Sequence, residues 1–298
     1  MKKEANFRNL LKEKEVILLP GTFNALVAKL IEAKGFDAVY CTGGGICTSF
    51  LGLPDISLIS LSEMTQVVGH ICSAVELPVI SDADTGFGNA INVMRTVREF
   101  EKAGAAGIHI EDQLFSKRCG HVAGKDVISK EEMVGKIKAA LVARSDPDFV
   151  IIARTDARSV EGFKSTIERA NLYRDAGADI IFPEALETAE EIIEFAKSVP
   201  NIPLMANMTD FGKTPYFSVE EFKQMGYKIV VFPVSTMRVA MKAIEEFLTE
   251  LKEKGTQKDF LNRMQTRKEL YDLINYRQYT AWEKQFLLEG GIDPLDNK

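Results

Sequence analysis

Short β-branched runs recur along the chain between longer stretches whose apolar residues repeat with helical spacing, and this alternation predicts parallel βα units. Eight runs read as strands: Val16–Leu19, Ala38–Cys41, Val79–Ser81, Gly107–Ile110, Phe149–Ile152, Asp179–Phe182, Leu204–Ala206 and Lys228–Phe232. Four helices end in a glycine that leads almost directly into a strand, at Lys34-Gly35, Ala103-Gly104, Ala176-Gly177 and Met225-Gly226. Glycine there permits a left-handed cap. Two further strands are entered through Pro78 and Pro203, a residue tolerated at a strand's first position. The pattern predicts an α/β chain forming a closed (β/α)8 TIM barrel over residues 1–254. No G-x-G-x-x-G follows the first strand, which counts against an open dinucleotide-binding sheet.

Past the eighth helix, expected over roughly 236–254, residues 255–298 carry Phe260, Met264, Tyr271, Ile274, Tyr276, Tyr279, Trp282 and Phe286. A closed barrel does not need them. They are expected to form additional C-terminal helices buried on the outside of their own barrel or on a second subunit, since such a stripe left in water promotes association.

Composition narrows the function classes. With 46% hydrophobic and 27% charged side chains in 298 residues, the chain is neither disordered nor of low complexity. Its 37 Lys+Arg against 43 Asp+Glu leave a net charge of −6 with no basic cluster, which argues against nucleic acid and anionic lipid as partners. The longest apolar runs fall far short of the roughly 20 residues that cross a bilayer. The stretch Met1–Asn6 lacks the features of a secretory leader, so a cytoplasmic location is expected. Four cysteines without a CxxC pair are expected to be free thiols, with Cys41, Cys47 and Cys72 as small buried hydrophobes.

What leaves each predicted strand at its carboxyl end is mostly polar: Gly21-Thr22, Thr42-Gly43-Gly44-Gly45, Asp82-Ala83-Asp84, Glu111-Asp112, Arg154-Thr155-Asp156, Glu184, Asn207 and Ser235. In a barrel these converge on one mouth, where enzymes of this architecture place their chemistry. Asp82, Asp84 and Glu111 would put three carboxylates on adjacent strands, costly unless a cation lies among them. Magnesium, or manganese in its place, suits oxygen donors better than zinc does. The glycine run Thr42-Gly43-Gly44-Gly45 offers backbone N–H groups to a carboxylate or oxyanion. Arg154, and less strongly Arg238, are candidates to clamp a carboxylate. His70 and His109 read as core histidines outside the site. The long non-periodic segment 112–125 reads as a lid, in which Lys117, Arg118 and His121 either tune the Cys119 thiol into an acid or base or form a solvated turn around an incidental thiol.

Asp82-Ala83-Asp84-Thr85-Gly86-Phe87-Gly88, His109-Ile110-Glu111-Asp112-Gln113 and Lys117-Arg118-Cys119-Gly120-His121 together resemble the isocitrate lyase and phosphoenolpyruvate mutase superfamily, and among its members the methylisocitrate lyases most closely. The likeness extends through Ala153–Ala157, Phe182–Ala185, Ala206–Gly212 and Met264–Arg267, nearly the whole chain. It implies magnesium-dependent cleavage of a 2-hydroxy di- or tricarboxylate between C2 and C3, releasing pyruvate and succinate. It further implies Asp82 as a direct metal ligand, Asp84 and Glu111 through water, and Asp55 nearby. Backbone amides of Gly43 and Gly44 with Arg154 would hold the pyruvyl carboxylate, with Thr42 in the substrate-binding loop against that half and Tyr40 as base. Cys119 would protonate the departing carbanion while His121, Asn207 and Glu184 stabilise its oxygens. Where family members often have serine, this chain has Thr42, whose added methyl bears on the exact substrate. The long insertions of full-size isocitrate lyases are missing, which argues against isocitrate. A 2,3-dimethylmalate lyase releasing propionate is the alternative, with Arg238 as discriminator; phosphonopyruvate enzymes lack the cysteine loop. The resemblance also implies a homotetramer that exchanges its C-terminal helices between subunits.

Overall fold

The computed structural model describes residues 2–290. Eight parallel strands form one sheet: β1 (Ile17–Thr22), β2 (Val39–Cys41), β3 (Val79–Asp82), β4 (Gly107–Glu111), β5 (Val150–Thr155), β6 (Ile180–Pro183), β7 (Met205–Asn207) and β8 (Ile229–Phe232). Their order, β6-β5-β4-β3-β2-β1-β8-β7, returns on itself through the parallel bridge Ile181↔Leu204, closing a (β/α)8 barrel. The helices are α1 (Lys3–Glu13), α2 (Ala25–Ala33), α3 (Gly43–Ile46), α4 (Leu61–Ala74), α5 (Ala90–Lys102), α6 (Lys130–Ala143), α7 (Phe163–Asp175), α8 (Ala189–Ser198), α9 (Val219–Gln224) and α10 (Ser235–Lys254), followed by α11 (Arg267–Leu273) and α12 (Tyr276–Glu289).

Local chemistry sets the element boundaries. Ser60 and Glu63 at α4, Asn89 and Asn92 at α5, and Ser218 and Glu221 at α9 form reciprocal capping boxes that satisfy otherwise orphan N–H groups. The four expected helix-ending glycines adopt left-handed φ, Gly35 at 80°, Gly104 at 89°, Gly177 at 103° and Gly226 at 94°. Pro78 and Pro203 use only their carbonyls on entry, accepting from Val39 N–H at 3.0 Å and Ile181 N–H at 3.1 Å.

Two apolar layers follow from strand alternation. Inward-facing Ile17, Leu19, Ile80, Val150, Ile152, Ile180, Met205 and Ile229 fill the barrel, joined by Phe7 of α1. Residues of opposite parity, such as Val39, Val79, Ile108, Ile151 and Val230, pack against the helix ring. α1 lies across the entry ends of the strands: Lys3 Nζ donates to the carbonyls of Cys72 and Val75, and Arg8 Nη1 pairs with Asp179 at 2.9 Å. The opposite end is left to polar groups.

The chain falls into two compact units, one ending at Val239 and one beginning at Ala240, so this division runs through α10. In the second unit Phe260 packs on Phe247 at 5.2 Å and under Arg263 at 4.2 Å. Val239, Met241, Ile244 and Leu248 of α10 and Tyr279, Trp282 and Phe286 of α12 are exposed. Of the expected extension over 255–298, residues 291–298 lie outside the described residues.

Candidate active site

Asp82 ends β3 and Glu111 ends β4, so strand register alone places both carboxylates at the exit rim. Asp84 is brought beside them by a turn in which Gly86 N–H donates to Ala83 O at 2.8 Å. That turn needs Asp84 at φ 47°, a left-handed conformation that costs a non-glycine residue about 1 kcal/mol. Gly43 and Gly44 open α3 against the same group: a Cβ on Gly43 would stand 2.5 Å from Asp82 Oδ2, and one on Gly44 2.9 Å from Asp55 Oδ2. Thr42 caps α3 by accepting from Gly45 N–H at 3.2 Å, so its hydroxyl is already engaged by the backbone.

Lys117 reaches from the loop into this acidic ring. Its Nζ lies 2.5 Å from Asp55 Oδ1 and 3.0 Å from Asp84 Oδ1, and its side chain is buried. Burial opposes its charge, but Asp84, Asp55, Glu111 and Asp82 outweigh that and hold the ammonium well above its ordinary pKa. Burial pushes the carboxyls upward despite this cation, Asp84 to about 6 and Glu111 well above its usual range. Among the described residues neither oxygen of Glu111 has a hydrogen-bond partner, and the Arg154 guanidinium stands nearby with Nε at 3.2 Å from Oε2.

Arg154 forms the second half of the mouth. Its Nε and Nη2 donate to Asp156 at 2.9 and 3.2 Å, and Nη2 lies 3.7 Å from Glu184 Oε1. Burial would raise Glu184, yet Arg154 and the His121 bond hold it well below the usual carboxylate range. Lys213 N–H donates to His121 Nδ1 at 2.9 Å, which assigns the ring proton to Nε2, 3.0 Å from Glu184 Oε1. Asn207 Nδ2 donates to Glu184 at 3.1 Å, leaving its own Oδ1 buried and unpartnered.

A cavity of about 70 Å³ joins the two halves, lined by Tyr40, Thr42, Gly44, Asp55, Asp82, Lys117, Cys119, His121, Arg154, Glu184 and Asn207. Gly120, Phe182, Thr209, Val231, Pro233 and Val234 complete its wall. A roomier open groove is lined by Lys2, Arg98, Glu101 and Asp146 and includes none of these residues. Of the four free cysteines Cys119 alone is exposed, and it lines the cavity; Cys41, Cys47 and Cys72 are buried as expected.

The surroundings of that thiol bear on the two readings of its loop. Lys117 is committed to Asp55 and Asp84, and Arg118 is exposed, so adjacent cations do not set its pKa. Desolvation raises Cys119 above the ordinary thiol range, only partly offset by a backbone hydrogen bond at His121. A shift in this direction favours the protonated thiol. Tyr40 is likewise pushed well up, by burial and then by Asp82, and its Oη sits 2.7 Å from His109 Nε2. Arg238 does not line the cavity: it is half exposed, 4.0 Å from Asp210 and stacked over Phe211.

Three residues outside the expected set enter the neighbourhood. His109, read as a core histidine, is buried and pushed down to about 3 by burial, yet it touches Tyr40 and lies 3.5 Å from Asp82. Its position one strand period before Glu111 was the available signal. Asp156, two residues beyond Arg154, was seen only as a strand-end polar group, and Lys125 only as the end of the lid.

The donor set fits a hard divalent cation in kind. Unpartnered Glu111 oxygens and raised carboxyls beside Asp82 describe an acidic ring short of positive charge. Among the described residues no three His, Cys, Asp or Glu side chains converge as ligands.

Comparison with known proteins places this geometry. The family model described as phosphoenolpyruvate phosphomutase matches residues 7–252. The 2-methylisocitrate lyase of Aeropyrum pernix is 56% identical over 272 residues, 91% of this chain and 87% of its own. The 2,3-dimethylmalate lyase of Eubacterium barkeri is 46% identical over 286 residues, 96% of this chain and 99% of its own. Phosphonopyruvate hydrolase, solved with oxalate and Mg++, superposes with a TM-score of 0.88 at 32% identity, covering 96% of this chain and 100% of that one. The chain belongs to the phosphoenolpyruvate mutase family of the isocitrate lyase superfamily.

Proposed function

Taking this membership as the premise, we propose that the chain is a magnesium-dependent carbon–carbon lyase that cleaves 2-methylisocitrate to pyruvate and succinate. The observation that carries the reading is one small cavity with an acidic ring on one side and a protonated thiol beside Arg154, His121 and Asn207 on the other. Magnesium, held by Asp82 with Asp84, Glu111 and Asp55 around it, would polarise the hydroxyl and carboxylate of the pyruvyl half. Arg154 with the backbone at Gly43 and Gly44 orients that carboxylate, and Thr42 bounds its methyl side. A base takes the hydroxyl proton as C2–C3 breaks and C2 becomes a carbonyl. Tyr40 holds the position for this step, and its raised pKa ties the role to its His109 contact and to the nearby cation. The bond's electron pair passes to the departing half, where the Cys119 Sγ proton quenches it at carbon. His121 and Asn207, which both bond to Glu184 before substrate enters, stabilise the oxygens on that side.

A second reading, 2,3-dimethylmalate lyase, is favoured by one observation: Arg238, expected to meet the extra carboxylate of methylisocitrate, stands outside the cavity. Pyruvate release from methylisocitrate, dimethylmalate and isocitrate, measured in parallel with and without chelator, separates them. Silence on all three substrates overturns the lyase assignment. The exposed apolar faces of α10 and α12 support a homotetramer with exchanged C-terminal helices, tested by sedimentation. Among the described residues no helix is long and apolar enough to cross a membrane, and free thiols accord with a cytoplasmic enzyme.

A further inference from the structure

Lys125 closes the lid segment yet has no part in the chemistry above. Its side chain is 1% exposed and its Nζ lies 2.7 Å from Asp156 Oδ1, a carboxylate that is itself fully buried. The same ammonium donates to the carbonyl of Gly120. A buried ammonium persists only where such partners meet it, and here one partner belongs to the barrel and the other to the lid.

Each partner is fixed by further contacts. Asp156 accepts both Arg154 bonds, and its N–H donates to Asp112 Oδ1 at 2.8 Å. Asp112 is held in turn by Tyr173 Oη at 2.8 Å and Arg169 Nη1 at 3.3 Å, so Asp156 is anchored to α7. Gly120 lies directly on the substrate-clamp residues: a Cβ there would stand 2.5 Å from Arg154 Nη2 and collide with Glu184. Gly120 also separates Cys119 from His121 in the chain, so its carbonyl is the atom whose placement aims both side chains.

The lid has other attachments that do not involve Lys125. Its base is stitched by Leu114 N–H to Asp126 O at 2.8 Å and Ile128 N–H to Asp112 O at 2.9 Å. Gln113 exchanges bonds with the Arg118 backbone at 2.8 and 2.9 Å. Losing Lys125 would therefore leave the loop folded at its root and His121 still bonded to Lys213 N–H and Glu184, but would remove the tie that fixes the Gly120 carbonyl between Cys119 and His121.

We propose that Lys125 is a positioning residue: its ammonium ties the Gly120 carbonyl to Asp156, so that Cys119 and His121 face the cavity only when the lid rests on Arg154. Closure of the lid and alignment of the guanidinium thus share one carboxylate, Asp156. This assignment deepens the lyase reading and rests on it for the role of the thiol.

The test compares the full-length enzyme with Lys125→Met and Lys125→Arg, magnesium present, by iodoacetamide alkylation of Cys119 and by steady-state kinetics. Alkylation is followed by peptide mass, since the other three cysteines are buried. In Lys125→Met, Cys119 should react roughly tenfold faster, and added pyruvate plus succinate should no longer protect it. Its kcat should fall by about 100-fold with KM within about threefold, the signature of misplaced reacting atoms, and Lys125→Arg should regain part of both effects. Parental alkylation and kcat in a folded Lys125→Met overturn the assignment, as does an Arg variant no better than Met. If melting shows Lys125→Met unfolded, Lys125→Gln is held to the same readouts. Failure of the parent to release pyruvate would sink the lyase reading alone, because alkylation reports on the latch without turnover.

Discussion

The two ends of the barrel interior are built from the same eight strands and obey opposite rules. At the entry end, Phe7, Ile17, Leu19, Val150, Ile180 and Ile229 are fully buried and apolar, and α1 seals them with hydrogen bonds to loop carbonyls. At the exit end, Asp82, Asp84, Glu111, Asp156, Arg154 and Glu184 are almost equally buried and charged, with Glu111 lacking any hydrogen bond. One end stabilises the fold by burying area, while the other buries charge, and there burial outweighs Lys117 and Arg154 at Asp82, Asp84 and Glu111, whose carboxyls stay raised. The contrast implies that lesions at the two ends separate stability from turnover.

The largest effect is expected at the exit end. Cys119→Ser should lower turnover by roughly 100- to 10,000-fold while leaving the melting temperature and pyruvate binding near parental, because the thiol acts on the other product. Retained turnover would break the role assigned to it. At the entry end, Phe7→Ala should cost about 3–5 kcal/mol of stability in denaturant titrations, with activity per folded molecule unchanged. Equal losses of stability and kcat there would erase the division between the ends.

Glu111→Gln sharpens the contrast because its sign is reversed. Removing a buried, unpartnered carboxylate should raise the stability of the chelated protein by about 1 kcal/mol while lowering magnesium-dependent turnover. A drop in melting temperature would show that Glu111 is already satisfied. The smallest effect is a slope. Burial holds Asp84 up to about 6, above its unfolded value, so the folded state binds that proton more tightly. Its contribution to stability is complete below the ordinary Asp range and is lost as pH rises through about 6. The melting temperature of chelated protein should fall across that window, and magnesium should flatten the fall; a profile insensitive to magnesium would contradict the acidic ring's need for a cation.

Much of this was legible along the chain, and the exceptions share a cause. All eight strands and the four glycine caps lie where the pattern predicts, but β1 runs to Thr22 instead of stopping at Leu19, and β5 to Thr155 instead of Ile152. Gly21-Thr22 reads locally as the segment leaving the strand. In the barrel Pro20 pairs with Phe232, and Gly21 is required because a Cβ would strike the Pro233 backbone. The clustering of Asp82, Asp84 and Glu111 was legible because adjacent parallel strands must end side by side. Arg238 was not, since its place beside Asp210 and Phe211 depends on how the loop after β7 folds.

Periodicity, caps and strand-end polarity are properties of neighbouring residues, and by themselves they determined the barrel, its orientation and the list of polar groups at its mouth. Which acid meets which base was decided only by the tertiary structure. Lys117 among the carboxylates, Lys125 between Gly120 and Asp156, and His109 against Tyr40 are contacts between residues 31 to 69 positions apart or across a loop without periodicity. Their energies depend on burial and on simultaneous neighbours, and neither exists until the strands have closed into a ring.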